Sequence, residues 1–307
     1  MSEPTILDRI VEQRRKDVAE AKLRVPEAVL RERIASAPVA CGFVARLRAS
    51  APMALIAEIK RASPSKGDIA PGMDAAKQGA RYAAAGAAGI SVLTEPTWFK
   101  GTLDDMLSVR SAIDGMESRP AVLRKDFIVD EYQVLEARAF GADAVLLIVA
   151  SLADEEIVRL MGFARALGMD ALVEVNNGEE MRRAVAAGAE LIGINNRDLR
   201  SFDVDLGTTD RLAKTVPEGT LLAALSGIAT RADVERFAAV GAGAVLVGEA
   251  LMLAEDVGRK VRELVGASSE ARVPSPELEA LTPRPPLPSG GEREREIRDS
   301  GPVGGGS

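Results

Sequence analysis

The chain has 307 residues, 47% of them apolar, which suits one large domain or two small ones with a full-sized hydrophobic core. Its net charge of −7, without a cluster of basic residues, argues against nucleic acid or an anionic membrane as a partner. It has no histidine and one cysteine, Cys41, which excludes histidine-dependent triads, histidine-ligated metal or haem and an internal disulfide. We therefore expect Lys, Asp, Glu or Tyr to carry any acid–base chemistry.

The N-terminal stretch, residues 5–48, predicts helices. Ile10 and Val18 recur at helical spacing between charged residues, and Pro26 interrupts the pattern before a second stretch that contains Leu30. No apolar signal core precedes it, and no apolar run reaches the ~20 residues that span a bilayer. We expect a cytoplasmic location without membrane attachment.

Short apolar runs alternate with longer amphipathic stretches between about residues 53 and 265. The runs are apolar on both faces, as in parallel strands that are buried on both sides. They predict eight strands, at Ala54–Ile59, Gly89–Leu93, Ala121–Leu123, Ala144–Val149, Ala171–Val175, Leu191–Ile194, Leu221–Leu225 and Ala244–Val247. The helical patterns lie at about 74–85, 103–114, 130–140, 153–167, 178–187, 206–214, 231–240 and 254–265. Eight such units in about 210 residues match the size of a (β/α)8 TIM barrel.

A repeated Gly-Ala pair supports this barrel. Gly86, Gly141, Gly188 and Gly241 each precede Ala at a point where a helix should end, and we expect each glycine to be left-handed there. A doubly wound open sheet is the alternative, but it usually has fewer strands, and the GxGxxG fingerprint of its dinucleotide-binding members does not occur.

The chain therefore divides into three predicted parts. Residues 1–48 form an N-terminal helical extension, and residues 49–268 form the catalytic (β/α)8 barrel. Residues 269–307 are rich in Pro, Gly and charged side chains without apolar periodicity, which indicates a disordered tail.

Polar residues follow the C-terminal ends of the strands, where the active sites of barrels lie. Glu58 and Lys60 share a face of the first strand, Lys125 ends the third, Glu174 lies in the fifth and Asn195 follows the sixth. Inward charges must pair, and paired carboxylates and ammonium groups suit proton transfer. A structural ion pair is the alternative for any one of them. We expect the other polar residues at these ends to face the same mouth; they are Thr94, Glu95, Arg124, Asp126 and Asn176.

Turns of small residues follow the seventh and eighth strands, at Ser226-Gly227 and Gly248-Glu249. In many barrels the loops at these positions bind a phosphate group through backbone N–H groups, although ordinary turns are the alternative here. Glu249 would repel a phosphate unless its carboxylate points away. The loop after the first strand, residues 61–67, carries two cations and would suit closure over an anionic substrate.

Four blocks resemble the indole-3-glycerol-phosphate synthase family. They are Ile56–Gly67 (IAEIKRASPSKG), Leu123–Ile128 (LRKDFI), Val173–Val175 (VEV) and Ile192–Leu199 (IGINNRDL), and the resemblance extends to about residue 265. It implies a (β/α)8 barrel with an N-terminal helical extension. It also implies a carboxy-lyase of tryptophan biosynthesis that uses no cofactor or metal. The reaction is ring closure, decarboxylation and dehydration of 1-(2-carboxyphenylamino)-1-deoxyribulose 5-phosphate to indole-3-glycerol phosphate.

The resemblance also implies roles by position. Lys125 would be the general acid that protonates the ketone oxygen, and Glu174 the general base of the dehydration. Lys60 would contact substrate anions and steer Lys125, while Glu58 would hold Lys60 and Asn195 in place. Asn195 would also help to orient the anthranilate part. The implied substrate-binding residues are Ser63, Arg197, Ser226, Gly227, Gly248 and Glu249.

Two positions depart from the family pattern. Leu225 stands where the family usually has Glu, and Asn176 where it usually has His. Leu225 leaves two alternatives open: a related phosphate-binding barrel enzyme with a shifted substrate, and a catalytically silent paralogue that binds a phosphorylated ligand. In each case the expected partner is a small phosphorylated molecule, and we expect a monomer or weak homo-oligomer.

Overall fold

A computed structural model describes residues 3–266, and eight parallel strands in this part of the chain form a closed barrel. The strands are β1 (Ala54–Ile59), β2 (Gly89–Leu93), β3 (Ala121–Lys125), β4 (Ala144–Ile148), β5 (Asp170–Val175), β6 (Leu191–Asn195), β7 (Leu221–Leu225) and β8 (Ala244–Val247). Each strand pairs with its neighbours in the sequence, and β1 pairs with both β2 and β8. This closure leaves no open sheet edge, because every strand has two partners.

Twelve α-helices accompany the strands in the described residues. They are α1 (Ile6–Arg24), α2 (Glu27–Ser36), α3 (Phe43–Arg48), α4 (Ala75–Ala84), α5 (Leu103–Ile113), α6 (Glu131–Ala139), α7 (Asp154–Ala166), α8 (Gly178–Ala186), α9 (Gly207–Leu212), α10 (Arg231–Ala239), α11 (Glu249–Met252) and α12 (Val257–Val265). The first three precede the barrel, and at least one helix follows each barrel strand.

The predicted (β/α)8 barrel is confirmed, and so are all eight strand and eight helix positions. The strand ends shift by one or two residues: β3 extends to Lys125 and β6 to Asn195, whereas β4 stops before Val149. The predicted left-handed glycines are also present, with φ angles from +76° to +96° at Gly86, Gly141, Gly188 and Gly241. The doubly wound alternative is excluded by the closure of the sheet.

Apolar side chains pack in two layers. The outer layer lies between strands and helices and includes Ile90 and Val122. The inner layer fills the barrel and includes Ile56, Leu146 and Leu172. Alternate residues of each strand therefore face opposite layers, and both layers are apolar because the strands are buried on both sides.

The three N-terminal helices pack on different parts of the barrel. Phe43 of α3 joins the inner apolar layer, and the backbone N–H of Val44 donates to the Asp170 carboxylate at 2.8 Å, so α3 closes the end at which the strands begin. Leu30 of α2 packs with Tyr132 of α6. Helix α1 reaches the opposite end, where Arg14 contacts Asp126 after β3.

The predicted boundaries at residues 48 and 268 are not tested by this structure, and the predicted tail, 269–307, lies outside the described residues. None of the helices in residues 3–266 combines the length and apolar character needed to cross a membrane.

Candidate active site

A cavity of about 400 Å³ opens at the C-terminal ends of the strands. Ten of the eleven predicted site residues line it: Glu58, Lys60, Ser63, Lys125, Asn195, Arg197, Ser226, Gly227, Gly248 and Glu249. The eleventh, Glu174, contacts two of these residues directly. The predicted convergence on one mouth therefore holds for this set, because inward positions at the ends of neighbouring strands meet there.

Glu58 and Lys60 form an ion pair on the inner face of β1. Lys60 Nζ donates to Glu58 Oε1 at 2.8 Å, and the Glu58 side chain is almost completely buried. Burial opposes ionisation of Glu58, but the ammonium groups of Lys60 and Lys125 outweigh it and hold the pKa of this carboxyl below its usual value. Glu58 therefore stays anionic and fixes the position of the Lys60 ammonium group.

Lys125, Glu174 and Asn195 form a second cluster across β3, β5 and β6. Lys125 Nζ lies 3.4 Å from Glu174 Oε2, and Asn195 Nδ2 donates to Glu174 Oε1 at 2.8 Å. Each Glu174 oxygen thus has one polar partner in the cavity wall. A proton donor and a proton acceptor stand side by side in a largely buried setting, which suits acid–base chemistry.

The structure differs from the sequence-based expectation on one contact. Glu58 was expected to hold both Lys60 and Asn195, but the side chain of Asn195 donates to Glu174 instead. In the register of the barrel Val175 of β5 pairs with Ile194 of β6, which places Glu174 beside the end of β6. Strand adjacency therefore selects Glu174 rather than Glu58 of distant β1.

Between these charged residues the wall of the cavity is largely apolar. Leu93, Phe127, Ile148 and Leu246 line it, together with Leu225 at the end of β7. Leu225 is almost fully buried, and a Cβ on Gly193 of β6 would approach its Cδ1 to 2.7 Å. Leu225 thus presents an apolar surface to the cavity and packs against the neighbouring strand.

The end of the cavity near β7 and β8 is built from backbone. Ser226 and Gly227 both have left-handed φ angles, +66° and +78°. Glu249 does not stand alone, because Lys66 Nζ lies 3.2 Å from its Oε1. This contact places a positive charge beside the carboxylate and so reduces its repulsion of an anion at this end.

The first loop and the loop after β6 complete the mouth. Ser63 lies in a short antiparallel hairpin formed by Ala62–Ser63 and Gly67–Asp68, which the sequence analysis missed. Arg197 Nη1 donates to the carbonyl oxygen of Phe202 at 3.0 Å, so this guanidinium also holds its own loop.

Of the five other polar residues expected at the mouth, only Asp126 lines the cavity, whereas Thr94, Glu95, Arg124 and Asn176 do not. Glu95 is fully buried and accepts from the backbone N–H groups of Thr97, Trp98 and Phe99, so it holds its own loop. Arg124 and Thr94 point into the helix layer, where Arg124 Nε donates to Thr94 Oγ1 at 3.1 Å. Arg124 points outward because successive residues of a strand face opposite sides, and the next residue, Lys125, faces inward.

Asp126 follows Lys125 and lies at the centre of a buried ion network that the sequence analysis did not foresee. It accepts from Arg14 Nε at 3.1 Å and Nη2 at 3.0 Å and from Arg124 Nη2 at 2.9 Å. Burial opposes its ionisation, but Arg14 and Arg124 hold its pKa below the usual value. No local signal pairs Arg14 with Asp126, because the two residues lie 112 positions apart.

Asn176 also has a structural contact. Its Nδ2 donates to the backbone oxygen of Asn195 at 2.8 Å, so it joins the ends of β5 and β6. Within residues 3–266 no group of three or more Cys, Asp or Glu side chains is arranged to hold a metal ion.

Comparisons with known proteins place the chain among close relatives. The family model described as indole-3-glycerol phosphate synthase matches residues 7–264. The chain is 54% identical over 275 residues to a multifunctional tryptophan biosynthesis protein of Phycomyces blakesleeanus. This alignment covers 88% of this chain and 36% of that protein. It is 49% identical over 267 residues to the indole-3-glycerol phosphate synthase of Roseiflexus sp. (strain RS-1). This alignment covers 86% of this chain and 99% of that protein.

The chain spans about a third of the length of the multifunctional relatives it matches. Among solved structures, the crystal structure of a 3-hexulose-6-phosphate synthase aligns with a TM-score of 0.54 at 20% identity, covering 70% of this chain and 99% of that one. At this identity the likeness concerns the barrel fold alone.

Proposed function

The chain belongs to the indole-3-glycerol phosphate synthase family, and from this premise we propose that it converts 1-(2-carboxyphenylamino)-1-deoxyribulose 5-phosphate to indole-3-glycerol phosphate, CO2 and water. The observation that carries the proposal is the arrangement of Lys125, Glu174 and Asn195 beside the Glu58–Lys60 pair at one cavity. The activity makes the protein a carboxy-lyase of tryptophan biosynthesis.

Ring closure joins a carbon of the anthranilate ring to the ketone carbon of the sugar chain. The ketone oxygen gains negative charge as this bond forms, and Lys125 donates a proton to it. Lys60, held by Glu58 at 2.8 Å, places a second positive charge nearby and binds the anionic part of the substrate. A positive charge that is fixed in advance stabilises developing negative charge without reorganisation.

Decarboxylation then restores the aromatic ring, and the carboxylate leaves as neutral CO2. The apolar wall that includes Phe127, Ile148 and Leu225 suits this step, because a poorly solvated carboxylate is destabilised relative to a neutral product. Asn195 and Arg197, which line the same cavity, orient the anthranilate part.

Dehydration removes a hydroxyl group from the new five-membered ring together with a proton. Glu174 accepts the proton, and the hydroxyl takes up a proton and leaves as water. Lys125 and Asn195 hold the Glu174 carboxylate in the geometry that this transfer needs, at 3.4 Å and 2.8 Å. Each turnover consumes one proton overall, since a carboxylate anion departs as CO2.

The phosphate group of the substrate would occupy the end of the cavity formed by Ser226, Gly227 and Gly248. Backbone N–H groups of these two turns would donate to its oxygens. The Lys66–Glu249 pair supports this assignment because it leaves the Glu249 carboxylate compensated. Ser63 in the first loop would close over the same part of the substrate.

The test is incubation of the purified protein with the carboxyphenylamino-deoxyribulose phosphate while indole fluorescence is followed. Leu225→Glu is assayed alongside. Product formation by the wild type supports the proposal, and the variant then measures what the apolar side chain contributes. If both proteins bind the substrate and neither forms product, a ligand-binding role without catalysis replaces the proposal.

The cytoplasmic location and the monomeric or weakly associated state remain predictions. Sedimentation of the purified protein over a range of concentrations tests the second.

A further inference from the structure

Asn196 joins the end of β6 to the turn that follows β7. Its side chain is almost fully buried, and both ends of its amide are hydrogen bonded. Nδ2 donates to the carbonyl oxygen of Ser226 at 3.1 Å, while Oδ1 accepts from the backbone N–H of Thr209 at 3.1 Å and from its hydroxyl at 2.8 Å. These partners fix which end of the amide faces the turn, because only Nδ2 can donate.

The backbone of Asn196 holds the same turn. Its N–H donates to the carbonyl oxygen of Leu225 at 2.9 Å. Two successive carbonyl groups, those of Leu225 and Ser226, are therefore bound by one residue of the neighbouring strand end. This double attachment fixes the direction in which the chain leaves β7.

Ser226 needs such an attachment. Its φ angle of +66° lies in the left-handed region, which residues with a Cβ adopt only at a cost in energy. Gly227 follows with φ +78° and carries no such penalty. The turn thus contains one disfavoured residue, and the Asn196 side chain binds the carbonyl group of that residue.

The segment Val204–Leu206 of the loop after β6 packs against this turn. A Cβ added to Gly227 would lie 2.7 Å from Val204 Cγ1 and 2.8 Å from Leu206 Cδ2. The residue between them, Asp205, donates its N–H to the carbonyl oxygen of Asn196 at 2.8 Å. Asn196 therefore holds the turn and the segment packed against it as one unit.

We propose that Asn196 is a positioning residue for the anion-binding end of the cavity. It keeps Ser226 left-handed and thereby directs the Ser226–Gly227 turn toward the phosphate group. The cavity wall includes Ser226 and Gly227 but not Asn196, so Asn196 acts through the turn. This inference rests on the proposed function, in which this turn binds the phosphate of the substrate.

The first test is Asn196→Asp, which keeps the shape and the acceptor toward Thr209 but removes the donor toward Ser226. We expect binding of inorganic phosphate, measured by calorimetry, to weaken about tenfold, as for the loss of one buried hydrogen bond. KM should rise by a similar factor while kcat stays within about threefold, because the proton-transfer groups are untouched. Unchanged phosphate binding in Asn196→Asp overturns the proposal.

The matched control is Asn177→Asp. It makes the same change in charge in a neighbouring loop and also loses an amide donor, here toward Glu180 instead of Ser226, while aspartate preserves the helix N-cap that Asn177 provides for α8. Its affinity for phosphate should match that of the wild type. If both variants lose affinity equally, added negative charge explains the effect and the proposal fails.

A second pair of variants separates positioning from general loss of structure. Glycine adopts the left-handed conformation without help, so Asn196→Asp should weaken phosphate binding less than threefold in a Ser226→Gly background. A merely structural role predicts the same loss in both backgrounds. Asn196→Ser replaces Asn196→Asp in both backgrounds if the aspartate variant does not fold.

The phosphate measurement is independent of turnover. A wild type that binds phosphate but forms no indole product contradicts the proposed function and leaves the role of Asn196 intact. A wild type that binds no phosphate at the turn contradicts the positioning role directly.

Discussion

Glu58 and Gly248 occupy one space at the junction of β1 and β8: a Cβ at position 248 would collide with the Glu58 carboxylate. The φ angle of Gly248 is −119°, which any residue can adopt, so space and not backbone conformation requires glycine here. Because Glu58 also binds Lys60 at 2.8 Å, Gly248 determines where the Lys60 ammonium group lies.

Gly248→Ala should therefore lower kcat by about tenfold or more, since Glu58 must move and Lys60 must follow it. Steady-state turnover with the carboxyphenylamino-deoxyribulose phosphate measures this. Gly72→Ala is the control, because no atom lies within 4 Å of a Cβ added there. Equal turnover in the two variants would contradict the link between Gly248 and Lys60.

Lys125→Ala and Glu174→Gln should each lower kcat by about 10²–10⁴-fold, the range that a positioned acid or base contributes. Since the two side chains contact each other at 3.4 Å, the double variant should be little worse than either single variant. The three kcat values and a melting curve for each protein test this. Losses that add in free energy would mean that the two groups act independently in one rate-limiting step, which contradicts the assignment of Lys125 to ring closure and Glu174 to dehydration.

Arg14→Met should lower the free energy of unfolding by about 3 kcal/mol, because it removes one of the two guanidinium partners of buried Asp126. Urea denaturation measures the change. Lys16→Met removes an exposed ion pair with Glu12 on the same helix and should change stability by about 0.5 kcal/mol or less. Similar losses in both variants would indicate a general effect on α1.

The stabilisation from Asp126 should depend on pH in a defined direction. Its folded pKa lies below the ordinary value of 3.8, so the ionised form stabilises the fold at every pH above that value. The stability difference between wild type and Asp126→Asn should be constant near neutral pH and shrink as pH falls below 3.8 toward the folded pKa. Denaturation series at several pH values check this, and a difference that grows on acidification would refute it.

The rate at which the Cys41 thiol is labelled should depend on the hydrogen bond that attaches the segment before α3 to the barrel. The backbone N–H of Cys41 donates to Asp143 at 2.9 Å, and burial together with the Asp143 carboxylate raises the pKa of its thiol. Asp143→Ala should accelerate labelling by a disulfide reagent at pH 8 by about tenfold, because it frees the segment and favours the thiolate. Glu155→Ala, an exposed change on α7, should label at the wild-type rate. Equal rates in Asp143→Ala and wild type would show that Asp143 does not protect Cys41.

The strand and helix positions could be predicted from the sequence because they depend on local patterning. Runs such as Ala144–Ile148 are apolar at every position, and Gly86 precedes a strand in the same way as Gly141. These signals act over a few residues and do not need the rest of the fold. The shared inward face of Glu58 and Lys60 followed from the same reasoning, since parity along a strand is local.

The contacts within the site needed the tertiary structure. Asn195 donates to Glu174 rather than Glu58 because β6 lies beside β5, and Arg14 reaches Asp126 because α1 packs on the end of the barrel. Likewise Glu95 and Arg124 lie near strand ends as Lys125 does, yet Glu95 binds the backbone of its own loop and Arg124 points into the helix layer. The sequence by itself thus determined the barrel and the strand ends at which polar residues collect, whereas the tertiary structure decided which of them face the cavity. The hydrogen-bond partner of each residue was decided by strand register and helix packing, which depend on the whole folded core.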